Sequence, residues 1–146
     1  MKHIFSIIIA AFAAAVVGAC SGNTPVADQV RAAEQAVIDG DIIGARDMAE
    51  RLVADNSIDD MSAKGLARLS MVYMQVADEE NDNSALVATA ADLYRRACRA
   101  NADSAWAYYD SLSPAKRALV SYLFHIVTAT DSAGVMPAEE PVDTVL

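Results

Sequence analysis

From Val26 to Val127 the apolar residues recur every three or four positions, the repeat of one side of an α-helix, and no useful length alternates with period two. The first face is Val26, Val30, Ala33 and Val37. It follows Thr24-Pro25, a hydroxyl cap with proline at the first helical position. Gly40 closes that helix and Asp41 caps a second, with Ile42, Ala45, Ala49 and Leu52 on one side and an end near Asn56. Two helices joined at a Gly-Asp break pack as an antiparallel hairpin. Asn56 to Asp60 reads as a polar turn. Leu66, Leu69, Val72, Tyr73 and Val76 describe a third helix, from about Met61 to Ala77, and an acidic, amide-rich loop follows from Asp78 to Asn83. A fourth helix, about Ser84 to Ala100, carries Leu86, Ala90, Leu93, Tyr94 and Ala97. Asp103 to Leu112 reads as a short fifth, and Ser113-Pro114 introduces a sixth from Lys116 to Ala129. The pattern predicts an all-α domain of about six helices over residues 24–129. Residues 130–146, with Gly134, Pro137, Glu139, Glu140 and Pro141, read as a disordered acidic tail.

The start of the chain follows another pattern. Met1-Lys2-His3 precedes sixteen residues without an acid or base, Ile4 to Ala19. A basic start, an apolar run and a small-residue end read as a secretory signal. A membrane span needs about 20 apolar residues, more than this run supplies. Because it ends Val17-Gly18-Ala19-Cys20, the segment resembles a bacterial lipoprotein signal with its lipobox. The resemblance implies removal of residues 1–19, diacylglyceryl on the Cys20 sulfur and an acyl group on the new amine, with residues 20–23 as lipidated cysteine and tether. Each buried acyl methylene contributes about 0.8 kcal/mol, so three chains anchor a protein durably. Plain secretion and an uncleaved anchor are the other readings. Ser21 stands where an aspartate would imply inner-membrane retention, and Gly22 to Ala27 lacks the acidic run that favours surface display in Bacteroidota. By resemblance, the expected location is the bacterial outer membrane, on its periplasmic face.

Charge narrows the function further. The net charge is −9, and loss of Lys2 with the signal makes it −10. Nucleic-acid binding rests on bases that neutralise phosphates, so this balance argues against it. Cys20 and Cys98 are the two cysteines, and a lipidated Cys20 leaves Cys98 without a disulfide partner. Cys98 one turn from Tyr94 reads as a small apolar residue rather than a reactive thiol. Two histidines, one of them in the signal, are too few for a zinc site. Asp78, Glu80 and Asp82 alternate as in a calcium loop, but Asn83 and Thr89 stand where that loop needs glycine and a bidentate glutamate. His125, on a polar stripe with Arg117, Ser121 and Thr128, has no acid at helical spacing. No phosphate loop or nucleophile motif is present in the chain. The expectation is a protein without catalysis, metal or cofactor.

Gly40-Asp41-Ile42-Ile43-Gly44-Ala45, continuing to Leu52, resembles the second half of a tetratricopeptide repeat. Ala90, Tyr94 and Ala97 are similar to the same positions, and Leu69-Ser70 with Tyr73 to the first-helix signature. The spacing from Tyr73 to Ala90 is eight residues too long, and no proline closes either unit. The resemblance implies antiparallel hairpins stacked as a short array; an unrelated six-helix bundle is the alternative. About three units are wanted for stability, so the apolar sixth helix is expected to cover the open end. In that family the first helix of each unit lines a concave face. Carried over, this makes Arg31, Glu34, Lys64, Arg68, Met71, Met74, Trp106 and Tyr109 the candidate partner-binding residues. The expected function is an adaptor or assembly lipoprotein holding another envelope protein or peptide, with the membrane reached through Cys20. A small-ligand or peptide receptor, such as a toxin neutraliser, and a structural protein that self-associates through the sixth helix are the alternatives.

Overall fold

The computed structural model describes residues 24–80 and 84–133. The signal-like segment, Cys20 with its tether, and the residues after Ala133 lie outside that range. Within it the chain is all-α, with five helices: α1 Val26–Ile38, α2 Ile42–Ala54, α3 Ala63–Glu79, α4 Ser84–Asp110 and α5 Pro114–Ala133.

Local chemistry sets most of the helix ends. The Asp41 carboxylate accepts from the Gly44 N–H at 2.9 Å, and the Ser62 hydroxyl from the Gly65 N–H at 3.1 Å. Each thereby satisfies one of the orphan donors of a first turn. The cap expected from Thr24 is not made. Pro25 itself occupies the cap position of α1, and its carbonyl accepts from Asp28 at 2.9 Å and Gln29 at 3.2 Å. At the other end of α1, Gly40 stands at φ 78°. There the Gly40 N–H bonds to the Val37 carbonyl and the Asp41 N–H to the Ala36 carbonyl, a glycine-ended Schellman closure. A Cβ at Gly40 would meet nothing within 4 Å, so replacing it tests backbone conformation alone. Gly40→Ala is expected to cost about 1–2 kcal/mol, the left-handed penalty of an L-residue, read as a lower midpoint in urea. An unchanged midpoint would mean that the turn relaxes freely.

The expected fourth and fifth helices meet without a loop. Asn101 alone is non-helical inside α4 (φ −166°, ψ 102°), and its side chain accepts from the Ser104 N–H at 2.9 Å. The break thus serves as the cap of the second arm, and five elements stand where six were expected. α3 also runs further than expected, taking Asp78 and Glu79 out of the supposed loop. Glu80 follows, paired with Arg46 of α2 at 2.8 Å. α5 continues to Ala133, because Arg95 of α4 binds Asp131 at 3.0 Å and also reaches Thr130; residues 130–133 are therefore helix rather than tail.

α3 is the centre of the molecule. It packs against α1, α2, α4 and α5, and eleven of its seventeen residues are buried. Alanines lie at the tightest places (Ala33, Ala45, Ala67, Ala90, Ala97 and Ala105), where small side chains let helix axes approach. Tyr94 and Tyr109 stack at 5.5 Å across the bend of α4. α5 covers less than its apolar sequence promised. Among its described side chains only Val120, Leu123 and Val127 are buried, and Tyr122 is 56% exposed.

Candidate functional site

α1 and α2 pack together across a three-residue turn and so run antiparallel, whereas α1 and α3 run in the same direction, since their first turns line one cavity and their last turns another. The N-terminal halves of α1 and α3 bound a cleft of about 180 Å³. Its walls are Ala27, Val30 and Arg31 on one side and Ser62, Lys64, Gly65 and Arg68 on the other. Three of the expected bases, Arg31, Lys64 and Arg68, thus meet at one opening. The first turn of α3 ends there too, which adds the positive end of the helix dipole.

The three bases are held differently. Arg31 is exposed and pairs with Asp28 one turn back at 3.2 Å, a contact of the weak, solvated kind. Lys64 is exposed and makes no hydrogen bond or ion pair with any described residue. Arg68 is half-buried. Its Nη1 stands 3.7 Å from Glu34 Oε2, longer than a charge-assisted hydrogen bond. Its guanidinium carbon lies 5.8 Å from the centre of the Tyr108 ring, and its buried Nε has no partner. Tyr108 donates its phenolic hydrogen to Glu34 Oε1 at 3.1 Å. Burial first, and then the Glu34 charge, push the Tyr108 phenol well above its ordinary value, so it remains a donor at neutral pH. One carboxylate therefore ties α1 to α3 and to the second arm of α4, and leaves the guanidinium of Arg68 only partly satisfied.

The remaining expected site residues lie elsewhere. Met71, Met74 and Tyr109 are 1%, 2% and 1% exposed, so they are core and offer nothing to a partner. Because α3 is packed on by four helices, its expected inward face is interior. Trp106 is 39% exposed but does not line the cleft. It meets Tyr94 at 6.3 Å, Tyr109 at 5.9 Å and Phe124 of α5 at 6.4 Å, joining the bend of α4 to α5. Tyr108 is the residue that sequence reasoning missed. The break at Asn101 resets the helical phase, which turns Tyr108 toward Glu34 and sends Tyr109 into the core.

Chemically, the cleft can hold an anion by charge and hydrogen bonding. Cys98 is half-buried beside Tyr94, and burial pushes its thiol up, so little reactive thiolate is present at neutral pH. Among the described residues no group of three His, Cys, Asp or Glu side chains is placed to hold a metal ion, and no helix is long and apolar enough to cross a membrane. No protein-family model, no curated protein and no solved structure matches the chain.

Proposed function

We propose that this chain is a lipid-anchored, non-catalytic interaction protein of the bacterial envelope, and that its α1–α3 cleft holds a carboxylate-bearing segment of another envelope protein. The observation that carries the reading is the meeting of Arg31, Lys64 and Arg68 at one cleft in a chain of net charge −9. They are three of the ten Lys and Arg residues outside the signal-like segment. Elsewhere Arg46, Arg95 and Arg96 are each answered by an acid, whereas Lys64 is left open and Arg68 is loosely paired. Arginine suits carboxylates because its donors match their geometry.

Lipidation of Cys20 would set the position of that cleft. Thr24 stands four positions after Cys20, a reach of at most about 14 Å when fully extended. The cleft opens at the first turns of α1, so its ligand is a segment close to the membrane surface. The reading as a short tetratricopeptide-like stack covered by α5 is supported by the parallel α1 and α3 and by the second arm of α4, which packs on α3 and reaches α1 through the Tyr108–Glu34 hydrogen bond.

The test uses the protein in detergent micelles and a labelled peptide rich in Asp and Glu, with its Asn and Gln counterpart as control. Lys64→Glu is expected to weaken binding of the acidic peptide about tenfold, equivalent to about 1.4 kcal/mol, with the circular dichroism unchanged. Equal binding of the two peptides would sink the proposal. So would competition by inorganic phosphate, or by anionic lipid vesicles, as effective as that of unlabelled acidic peptide.

A further inference from the structure

We infer a second docking surface, opposite in charge, at the other end of α3: a groove beside α5 that takes a basic amphipathic helix of a partner. The groove is a cavity of about 540 Å³ bounded by the α1–α2 turn, the last turns of α3 and the first turns of α5. Val37, Ile42 and Leu119 form its apolar floor. A smaller depression of about 50 Å³ shares Asp78 and Leu119 with it and continues to Tyr122. Along this line α5 presents Ala115, Ala118, Leu119 and Tyr122. That is the i, i+3, i+4, i+7 spacing of one helix face, and it extends about 10 Å. α5 packs only on α4 and α3 among the described elements; Leu119 rests against the core, while Ala115, Ala118 and Tyr122 are exposed. Its alanines allow the backbone of another helix to come close.

Charge selects the occupant. Against one base, Lys116 of α5, two acids line the groove, Asp78 and Glu79 in the last turn of α3. They sit at the negative end of the helix dipole, where acids are unfavourable and a cation is favoured. Neighbouring Glu80 is answered by Arg46, whereas Asp78 and Glu79 pair with no base among the described residues. A lysine or arginine on the flank of an incoming helix would meet both carboxylates. An anionic lipid surface would be repelled, and a second copy would bring the same two acids and a net charge of −9. The described residues contain no strand edge for an extended peptide to join, and an apolar helix face is the natural seat for another helix.

The groove shares no lining residue with the cationic cleft. Asp78 stands thirteen positions after Gly65 along α3, about 20 Å of helix. Both places can be filled together, so the chain can bridge an acidic segment near the membrane and a basic helix beyond it.

The experiment uses the full chain in detergent micelles and a labelled synthetic helix of about 18 residues (five turns), with leucines on one stripe and lysines on its flanks. Its controls are a scrambled peptide and a glutamate-for-lysine peptide. Fluorescence anisotropy is expected to show binding of the amphipathic basic helix alone. Ala118→Arg, and separately Asp78→Asn with Glu79→Gln, are each expected to weaken it about tenfold or more. Lys64→Glu is expected to leave it unchanged, which separates this surface from the cationic cleft. Equal binding of the scrambled peptide, or indifference to Ala118→Arg and to the paired acid variant, would overturn the inference. So would sedimentation showing that the chain dimerises and that Ala118→Arg makes it a monomer, because a second copy would then fill the groove.

Discussion

Raising the pH from 10 to 12 is expected to unfold this protein in one transition. Burial is the leading cause that pushes Tyr73 and Tyr94 from 10 up to about 12; the Glu50 charge adds to the shift of Tyr73, and neighbouring Cys98 to that of Tyr94. Burial likewise raises Tyr108 and Tyr109 still further. The unfolded chain loses these phenolic protons near pH 10 while the folded chain keeps them. Above that pH the unfolded state binds fewer protons, so stability falls as pH rises. Each tyrosine contributes about 1.4 kcal/mol per pH unit across the interval between its two values. Tyr73 and Tyr94 alone therefore remove about 5 kcal/mol by pH 12, comparable with the whole stability of a small domain. Tyrosinate absorbance and far-ultraviolet circular dichroism should change together. Tyrosinate formation near pH 10 with helicity intact would show that these rings are not buried as described.

Tyr109→Ala is expected to be the most damaging single substitution, at about 4 kcal/mol, the cost of truncating a large core aromatic. The Ser70 hydroxyl gives its one proton to the Ala67 carbonyl at 2.7 Å, so the Tyr109 hydroxyl donates to Ser70 Oγ at 2.9 Å. The ring stacks on Tyr94 and meets the edge of Trp106. Tyr109 thus fastens the second arm of α4 to α3 by both packing and a hydrogen bond. Tyr109→Phe keeps the packing and is expected to cost about 1 kcal/mol, one buried hydrogen bond. Urea unfolding of the two variants separates these contributions. A loss for alanine no greater than for phenylalanine would mean that the arm is not docked on α3.

Elements governed by neighbours in the chain are legible in the sequence. Helical periodicity, the Asp41 cap and the end of α1 at Gly40 each follow from side chains within one or two turns. The pattern misleads where a distant partner intervenes. Asp78 and Glu79 read as loop, yet the Arg46 contact with the adjacent Glu80 secures the end of α3. Thr130 to Ala133 reads as tail, yet Arg95 holds that turn.

The candidate site is legible only in part. Arg31, Glu34, Lys64 and Arg68 come together as the helical register implies, because α1 and α3 are regular and run parallel. Met71 and Met74 do not join them. A helix with apolar residues on several sides does not show from its own pattern which side is interior. Tyr108 stays hidden for a related reason: one extended residue, Asn101, changes the phase of everything after it.

The order of residues alone determined that the chain is helical, where most helices begin and end, and which bases share a side of each rod, since hydrogen bonds and side-chain spacing along one segment decide these. Tertiary structure decided which sides are buried, how the bend of α4 aims its aromatics, and where opposite charges gather along α3. Those outcomes depend on contacts between residues tens of positions apart, and a periodic pattern carries no record of them.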